Sequence, residues 1–270
     1  MAVALTGTTR WLYGGSRLRF YSSSQEKIYL RSPSNLRISC LSAPSELIEN
    51  TELELKSEYK PGLFDDLFLH LFRSKMVQET GWDSGKPGYD GLIEVANRLM
   101  IGRTNSEAKE ASIRVLRSLF PPLILELYRI LVAPLGGGRV AAEMVARVTA
   151  LTCKWLMGPC EVNTVDLHDE TSWTSGVLVE RCKYLEESKC VGICINTCKL
   201  PTQSFFKDYM GVNLVMEPNF SDYSCQLKFG VLPPQPENDS AMKEPCLEIC
   251  PNATPSRRVS SLNNTKCPKA

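Results

Sequence analysis

Residues Pro121–Cys160, PPLILELYRILVAPLGGGRVAAEMVARVTALTCKWLMGPC, hold the change of texture on which the fold turns. Pro121-Pro122 ends any helix before it, because the second ring disfavours helical geometry at the first, yet proline suits the opening turn of a new helix. LILELYRILVAPL then reads as a very apolar helix. Gly136-Gly137-Gly138 interrupts it, and an Ala/Val-rich helix runs from about Val140 to Leu156. Upstream, Phe64, Leu67, Phe68, Leu71, Phe72 and Met76 recur at three- and four-residue spacing, the stripe of an amphipathic helix. Leu92–Met100 and Ser106–Phe120 repeat that period. Beyond Cys160 the period shortens. Val177–Cys182, Asn213–Met216 and Cys225–Phe229 read as short strands, with a helix over Cys190–Lys207 between them. The expected fold is therefore α+β and predominantly helical: a helical N-terminal layer over 61–157, packed with a cysteine-rich α+β part over 160–250 in one domain.

The ends differ in composition. Residues 1–45 carry six basic residues against one acid, Glu26, and are crowded with serine. A basic, Ser-rich, acid-poor leader without an apolar h-region has the composition of an organellar transit peptide. The expectation is a disordered plastid-targeting segment at 1–45, a linker at 46–60 and a disordered tail at 251–270. A net charge of +1 over 270 residues gives no electrostatic footprint for nucleic acid.

Eleven cysteines against two histidines shift the search for chemistry from imidazole to thiolate. In a reducing compartment a dense cysteine set points to metal or redox chemistry before a disulfide scaffold. The densest stretch is KCVGICINTC, Lys189–Cys198, which spaces Cys190, Cys194 and Cys198 four residues apart. On a helix each such step turns ~400° and rises ~6 Å, so the thiols would share a stripe roughly 6 Å apart. That spacing suits a multi-iron cluster better than one tetrahedral ion, and soft sulfur selects iron–sulfur, zinc or cuprous copper. It matches none of the familiar cluster signatures, and three small buried thiols filling a helical core is the competing reading. Cys182, Cys225, Cys246 and Cys250 lie in the same region as candidate further ligands; Cys153 reads as core packing.

Other motifs are weaker. Gly136–Gly138 lacks the remainder of any phosphate-binding pattern and reads as a turn. His168 sits in an acidic loop, and His70 reads as a packed or boundary residue of the first helix. No apolar run reaches the ~18 uncharged residues of a membrane span. Leu119–Leu135, interrupted by Glu126 and Arg129, reads as a buried core helix, with a place in a bilayer surface as the alternative.

Three longer phrases carry a family resemblance: GGGRVAAEMVARVTALTCKWLMGPCEVN, VLVERCKYLEESKCVGICINTCKLPTQSFF and MEPNFSDYSCQLKFG. Together they resemble the plant plastid β-carotene isomerase family of the strigolactone pathway, a Dwarf-type, iron-containing group, from about Tyr59 to Cys250. The resemblance implies an iron-dependent carotenoid cis/trans isomerase, interconverting all-trans and 9-cis β-carotene or a related carotenoid, in the plastid. Iron, mononuclear or in a cluster, is then expected on Cys190, Cys194 and Cys198 with Cys182, Cys225, Cys246 or Cys250. A carotenoid substrate implies a long apolar pocket, for which Phe64, Phe68, Phe72, Leu123, Leu127, Trp155 and Met157 are candidate linings, and peripheral contact with plastid membranes. The rival reading is a plastid iron–sulfur carrier, which shares the cysteines and the leader but needs no polyene tunnel.

Overall fold

The computed structural model describes Gly62 and residues 64–167 and 171–252; the leader at 1–45, the linker at 46–60, His168 and the tail beyond residue 252 lie outside the described residues. Every described element belongs to one compact unit. The helical layer begins with α1 (Asp65–Thr80), opened by Asp65 and Asp66 against the positive end of the helix dipole. Gly81 closes it at φ 68°, donating its N–H to the Val77 carbonyl at 2.8 Å. In α2 (Gly88–Met100), Leu92, Val95, Ala96 and Leu99 form the buried face. Thr104 and Glu107 cap α3 (Asn105–Ser118) reciprocally, the Thr104 N–H donating to Glu107 Oε2 at 2.7 Å and the Glu107 N–H to Thr104 Oγ1 at 3.3 Å.

The prolines cut α3 earlier than the apolar period suggests. Helix ends at Ser118, and Leu119 and Phe120 form the turn into α4 (Pro122–Leu127). That helix widens into a π-helical turn, Tyr128–Val132, closed by the Ala133 N–H donating to the Tyr128 carbonyl at 3.0 Å. Leu119–Leu135 is not the buried core helix expected: Leu125 is buried, but Leu123, Ile124, Leu127, Ile130 and Leu131 are exposed. Gly136, Gly137 and Gly138 take φ of 58°, 65° and 92°, a left-handed reversal that other residues adopt at a cost. The chain returns as α5 (Arg139–Thr152) and the short α6 (Lys154–Met157).

Beyond α6 the strands form one antiparallel sheet in the order β1 (Cys160–Asp166), β2 (Ser172–Val179), β4 (Cys225–Phe229), β3 (Leu214–Pro218). β1 and the first half of β2 went unread in the sequence, because Glu161, Asn163 and Thr164 interrupt the apolar alternation. Between β2 and β3 lie α7 (Lys183–Ser188), α8 (Val191–Ile193), a π-helical turn at Cys194–Lys199, α9 (Leu200–Phe205) and a further π-helical turn at Phe206–Met210; α10 (Ser240–Lys243) follows β4. Ala141, Ala142, Ala146 and Ala150 give α5 a small-residue face, which packs against Val177, Leu227 and Phe229 of the sheet. A second buried cluster joins α1, α2 and α3 to Tyr184 and Ile193.

Gly176 in β2 lies opposite Asn163 of β1 and Lys228 of β4, and its missing side chain leaves room above the sheet. Asn163 and Gln226 bridge that gap: Asn163 Nδ2 donates to Gln226 Oε1 at 2.8 Å, and Gln226 Nε2 to Asn163 Oδ1 at 3.1 Å. A Cβ at Gly176 would overlap Asn163 Oδ1 and Val165 Cγ1. Gly176→Val should lower stability by about 2–4 kcal/mol, from two lost hydrogen bonds plus overpacking. An unchanged denaturation midpoint would show that the bridge does not stabilise the sheet.

Candidate functional site

The helical layer and the sheet do not close completely on each other. Between them lies a cavity of about 200 Å³, available to the centre of a water-sized sphere. α1 contributes Phe72, α3 Leu116, and α6 Trp155, Leu156 and Met157. The sheet contributes Val179, Met216, Pro218, Cys225 and Leu227, side chains that one strand face presents together. The third wall is the helical run after α7, with Cys194, Cys198, Lys199, Thr202 and Phe205. Aromatic contacts fix two corners. Phe72 meets Trp155 edge-on at 5.7 Å, and Phe205 stacks on Phe120 at 5.7 Å.

Of the seven cysteines expected at the metal site, Cys182, Cys194, Cys198 and Cys225 line this cavity; Cys153, expected only to pack, lines it too. They arrive by three routes. Cys182 precedes α7, its N–H donating to the Tyr223 carbonyl at 2.7 Å. Cys225 opens β4, in register with Val179 and Pro218. Cys194 opens the π-helical turn that also carries Cys198.

Cys190 does not join them. It has extended backbone, φ −138° and ψ 111°, and caps α8 instead of lying within it, so the straight-helix stripe breaks at its first member. Its side chain is buried in the cluster of α1 and α2 beside Cys250, where its sulfur accepts from Asn252 Nδ2 at 3.6 Å. Cys246 packs against the same cluster. The seven candidates thus fall into two groups: four at the cavity, and Cys190, Cys246 and Cys250 away from it.

Electrostatics follow from burial. Desolvation, reinforced by neighbouring thiols, pushes the Cys194 thiol well above its usual range; those neighbours are Cys198, Cys225 and Cys182. The same causes push Cys198 up to about 12 and raise Cys225. Cys182 is raised by burial, although the backbone N–H groups of Leu185 and Tyr184 donate to it and oppose the rise. Tyr184, also in the wall, is held neutral by burial, its hydroxyl 2.8 Å from Thr197 Oγ1. At neutral pH the cavity therefore presents neutral sulfur, aromatic rings and alkyl groups.

Lys199 is the one charged side chain among the described lining residues. It is 2% exposed, and its Nζ donates to the Met216 carbonyl at 2.8 Å and pairs with Asp239 at 2.6 Å. Sequence reading passed over Lys199, although it follows Cys198 directly and shares a helical face with Thr202. Its partner lies forty residues away, and nothing local announces the pair.

The other expectations separate likewise. Phe72, Trp155 and Met157 line the cavity, whereas Phe64, Phe68, Leu123 and Leu127 are exposed and do not. The periodicity that selected them identifies an apolar helix face but not what covers it. His70 is exposed, not packed.

Four thiols on one cavity are a soft donor set, suited in type to a thiophilic metal such as iron. They do not converge on one point: among the described residues no group of three or more Cys, His, Asp or Glu is disposed to hold a metal ion. What the arrangement offers directly is a dry, apolar, polarisable container for a hydrocarbon.

Comparison with known proteins finds relatives for this chain. The family model for the C-terminal region of β-carotene isomerase D27-like proteins matches residues 155–238, which hold most of α6, all four strands and four of the five cysteines that line the cavity. Over 225 residues the chain is 32% identical to the chloroplastic β-carotene isomerase D27 of Medicago truncatula, covering 83% of this chain and 88% of that one. Over 208 residues it is 32% identical to the chloroplastic β-carotene isomerase D27 of Arabidopsis thaliana, covering 75% and 77%. No solved structure matches the chain.

Proposed function

The chain belongs to the β-carotene isomerase D27-like family, and from that premise we propose that it is a plastid carotenoid isomerase whose substrate occupies the thiol-lined cavity between sheet and helices. The observation that carries the placement is the cavity wall, formed by alkyl, aromatic and neutral sulfur groups, with its one charge neutralised by Asp239. A carotenoid is hydrocarbon or nearly so. Its transfer from water into such a site is favourable in proportion to the area buried.

The reaction we propose is reversible conversion of all-trans to 9-cis β-carotene, or of a related polyene, feeding strigolactone or carotenoid metabolism. Isomerisation moves no atom between molecules; the bond order of one C=C must fall long enough for rotation. The chain's own contribution is positional. Phe72 against Trp155 and Phe120 against Phe205 supply flat surfaces for a conjugated chain, and the apolar wall excludes water from any charge or spin on the polyene. We propose that Cys182, Cys194, Cys198 and Cys225 would hold iron only by drawing together from the separated positions they occupy here; when bound, iron would supply a one-electron couple able to lower that bond order.

Incubation of iron-replete protein with all-trans β-carotene, followed by isomer-resolving chromatography, tests the reaction. The expected result is accumulation of a cis isomer and its return from the cis side. An unchanged isomer profile overturns the reading. Metal analysis separates the two cysteine groups. Replacing Cys182, Cys194, Cys198 and Cys225 by serine should remove bound iron at least tenfold, whereas Cys190→Ser with Cys250→Ser should keep it. The opposite outcome would move the iron to the Cys190 group.

A further inference from the structure

α4 and its π-helical turn carry a face that the cavity does not use. Leu123, Ile124, Leu127, Ile130 and Leu131 are 53–70% exposed, along one side of the helix. The other side is anchored. Leu125 is buried, Tyr128 and Val132 pack on the sheet–α5 cluster, and the Tyr128 hydroxyl donates to the Ala141 carbonyl at 3.2 Å. α5, fastened there, exposes a second apolar row, Val140, Met144, Val148 and Leu151. Exposed apolar surface on this scale marks an interaction site.

Two observations identify what covers it. Among the described lining residues of the cavity only Leu119 and Phe120 are exposed, at 36% and 40%, so the part of the lining nearest solvent is the turn immediately before α4. The apolar face and the apolar interior therefore meet at that turn. The second is charge. Residues 117–154 contain Arg117, Arg129, Arg139, Arg147 and Lys154 against Glu126 and Glu143, and Glu143 already pairs with Arg139 and Arg147. An excess of three basic residues over the segment that carries an amphipathic helix suits an anionic lipid interface. No helix among the described residues is long and apolar enough to cross a membrane.

We infer that the exposed face of α4 docks on an anionic bilayer surface and passes a hydrocarbon from the lipid past Leu119 and Phe120 into the cavity. The identity of that cargo rests on the isomerase reading above; the docking itself does not. In the docked state the polyene need not cross water, which is the step its low solubility makes slow.

The test uses the full chain and an Ile124→Glu, Ile130→Glu, Leu131→Glu variant, altered only at exposed positions and checked for an unchanged unfolding midpoint. The wild type should co-float with phosphatidylcholine–phosphatidylglycerol vesicles and be released by salt, and the variant should float at least tenfold less. Given all-trans β-carotene embedded in those vesicles, the variant should isomerise it at least tenfold more slowly, while matching the wild type on detergent-dispersed substrate. Failure of the wild type to float overturns the docking. So does a light-scattering mass showing a dimer that the same substitutions dissociate, because a second copy would then cover the face. Flotation without isomerisation in either presentation upholds the docking and removes the isomerase reading instead.

Discussion

Asp239→Ala is expected to destabilise the protein by about 3–5 kcal/mol, the cost of leaving a buried charge without its partner. Lys199 is among the largest fully buried side chains, and its ammonium has the Asp239 carboxylate and the Met216 carbonyl as partners. On its remaining side lies the apolar cavity. Asp239 also accepts from the Ala241 N–H at 3.1 Å, capping α10, so its loss frays the segment that carries it. Lys199→Met combined with Asp239→Leu should recover most of the loss, because replacing both ions by apolar groups removes their desolvation cost. Chemical denaturation of Lys199→Met, of Asp239→Leu and of the double variant closes a thermodynamic cycle. A cost below about 1 kcal/mol for Asp239→Ala, with no coupling in the cycle, would show that solvent reaches the ammonium.

Alkali should unfold the metal-free protein steeply. Burial raises Cys160 to about 11 and Cys190 and Cys198 to about 12, from an ordinary thiol value of 9.0. A group whose folded value is raised contributes its stability fully below the unfolded value and loses it as pH climbs towards the folded one. Between pH 9 and 11 these three thiols stay protonated in the folded chain and ionise in the unfolded one. Each removes about 1.4 kcal/mol per pH unit, roughly 4 together, against a typical total of 5–15 kcal/mol. Cys153, Cys182, Cys194 and Cys225 shift in the same direction and steepen the fall. Denaturation midpoints at pH 8, 9 and 10 after chelator treatment provide the measurement. A flat profile would mean that the thiols are ionised or solvated at pH 8, contrary to their burial.

The two predictions bear on one property, polar groups kept neutral or paired inside an apolar interior. That neutrality is what a polyene requires of its container, and it explains why Lys199 comes with its own counter-ion. It also separates the roles of the cysteines. Cys182, Cys194, Cys198 and Cys225 line the cavity together with Cys153, whereas Cys190 and Cys250 pack in the cluster with α2 and do not line it.

Much of the architecture was legible before any coordinates. The helical layer, the change to α+β after Cys160, strands β3 and β4 and the stop at Pro121-Pro122 follow from local periodicity and proline chemistry, which act over a few residues. The family followed from the phrases around KWLMGPC and CKYLEESKC. Cys194 and Cys198 both line the cavity, but on a π-helical turn and not on the straight helix that their spacing suggests.

Tertiary structure decided the rest. Nothing within a turn of Cys190 shows that it sits before the helix, nor that the helix then widens into a π-turn; both depend on packing against α2 and α3. Cys182 and Cys225 meet only because β2 and β4 pair in the register Val179 to Cys225. Lys199 and Asp239 meet only when the segment after β4 folds back onto α8 and its π-helical turn. Sequence periodicity reports which face of an element is apolar. Whether that face ends against a cavity, as Phe72 does, or against solvent, as Leu123 does, depends on long-range packing that residue spacing does not encode.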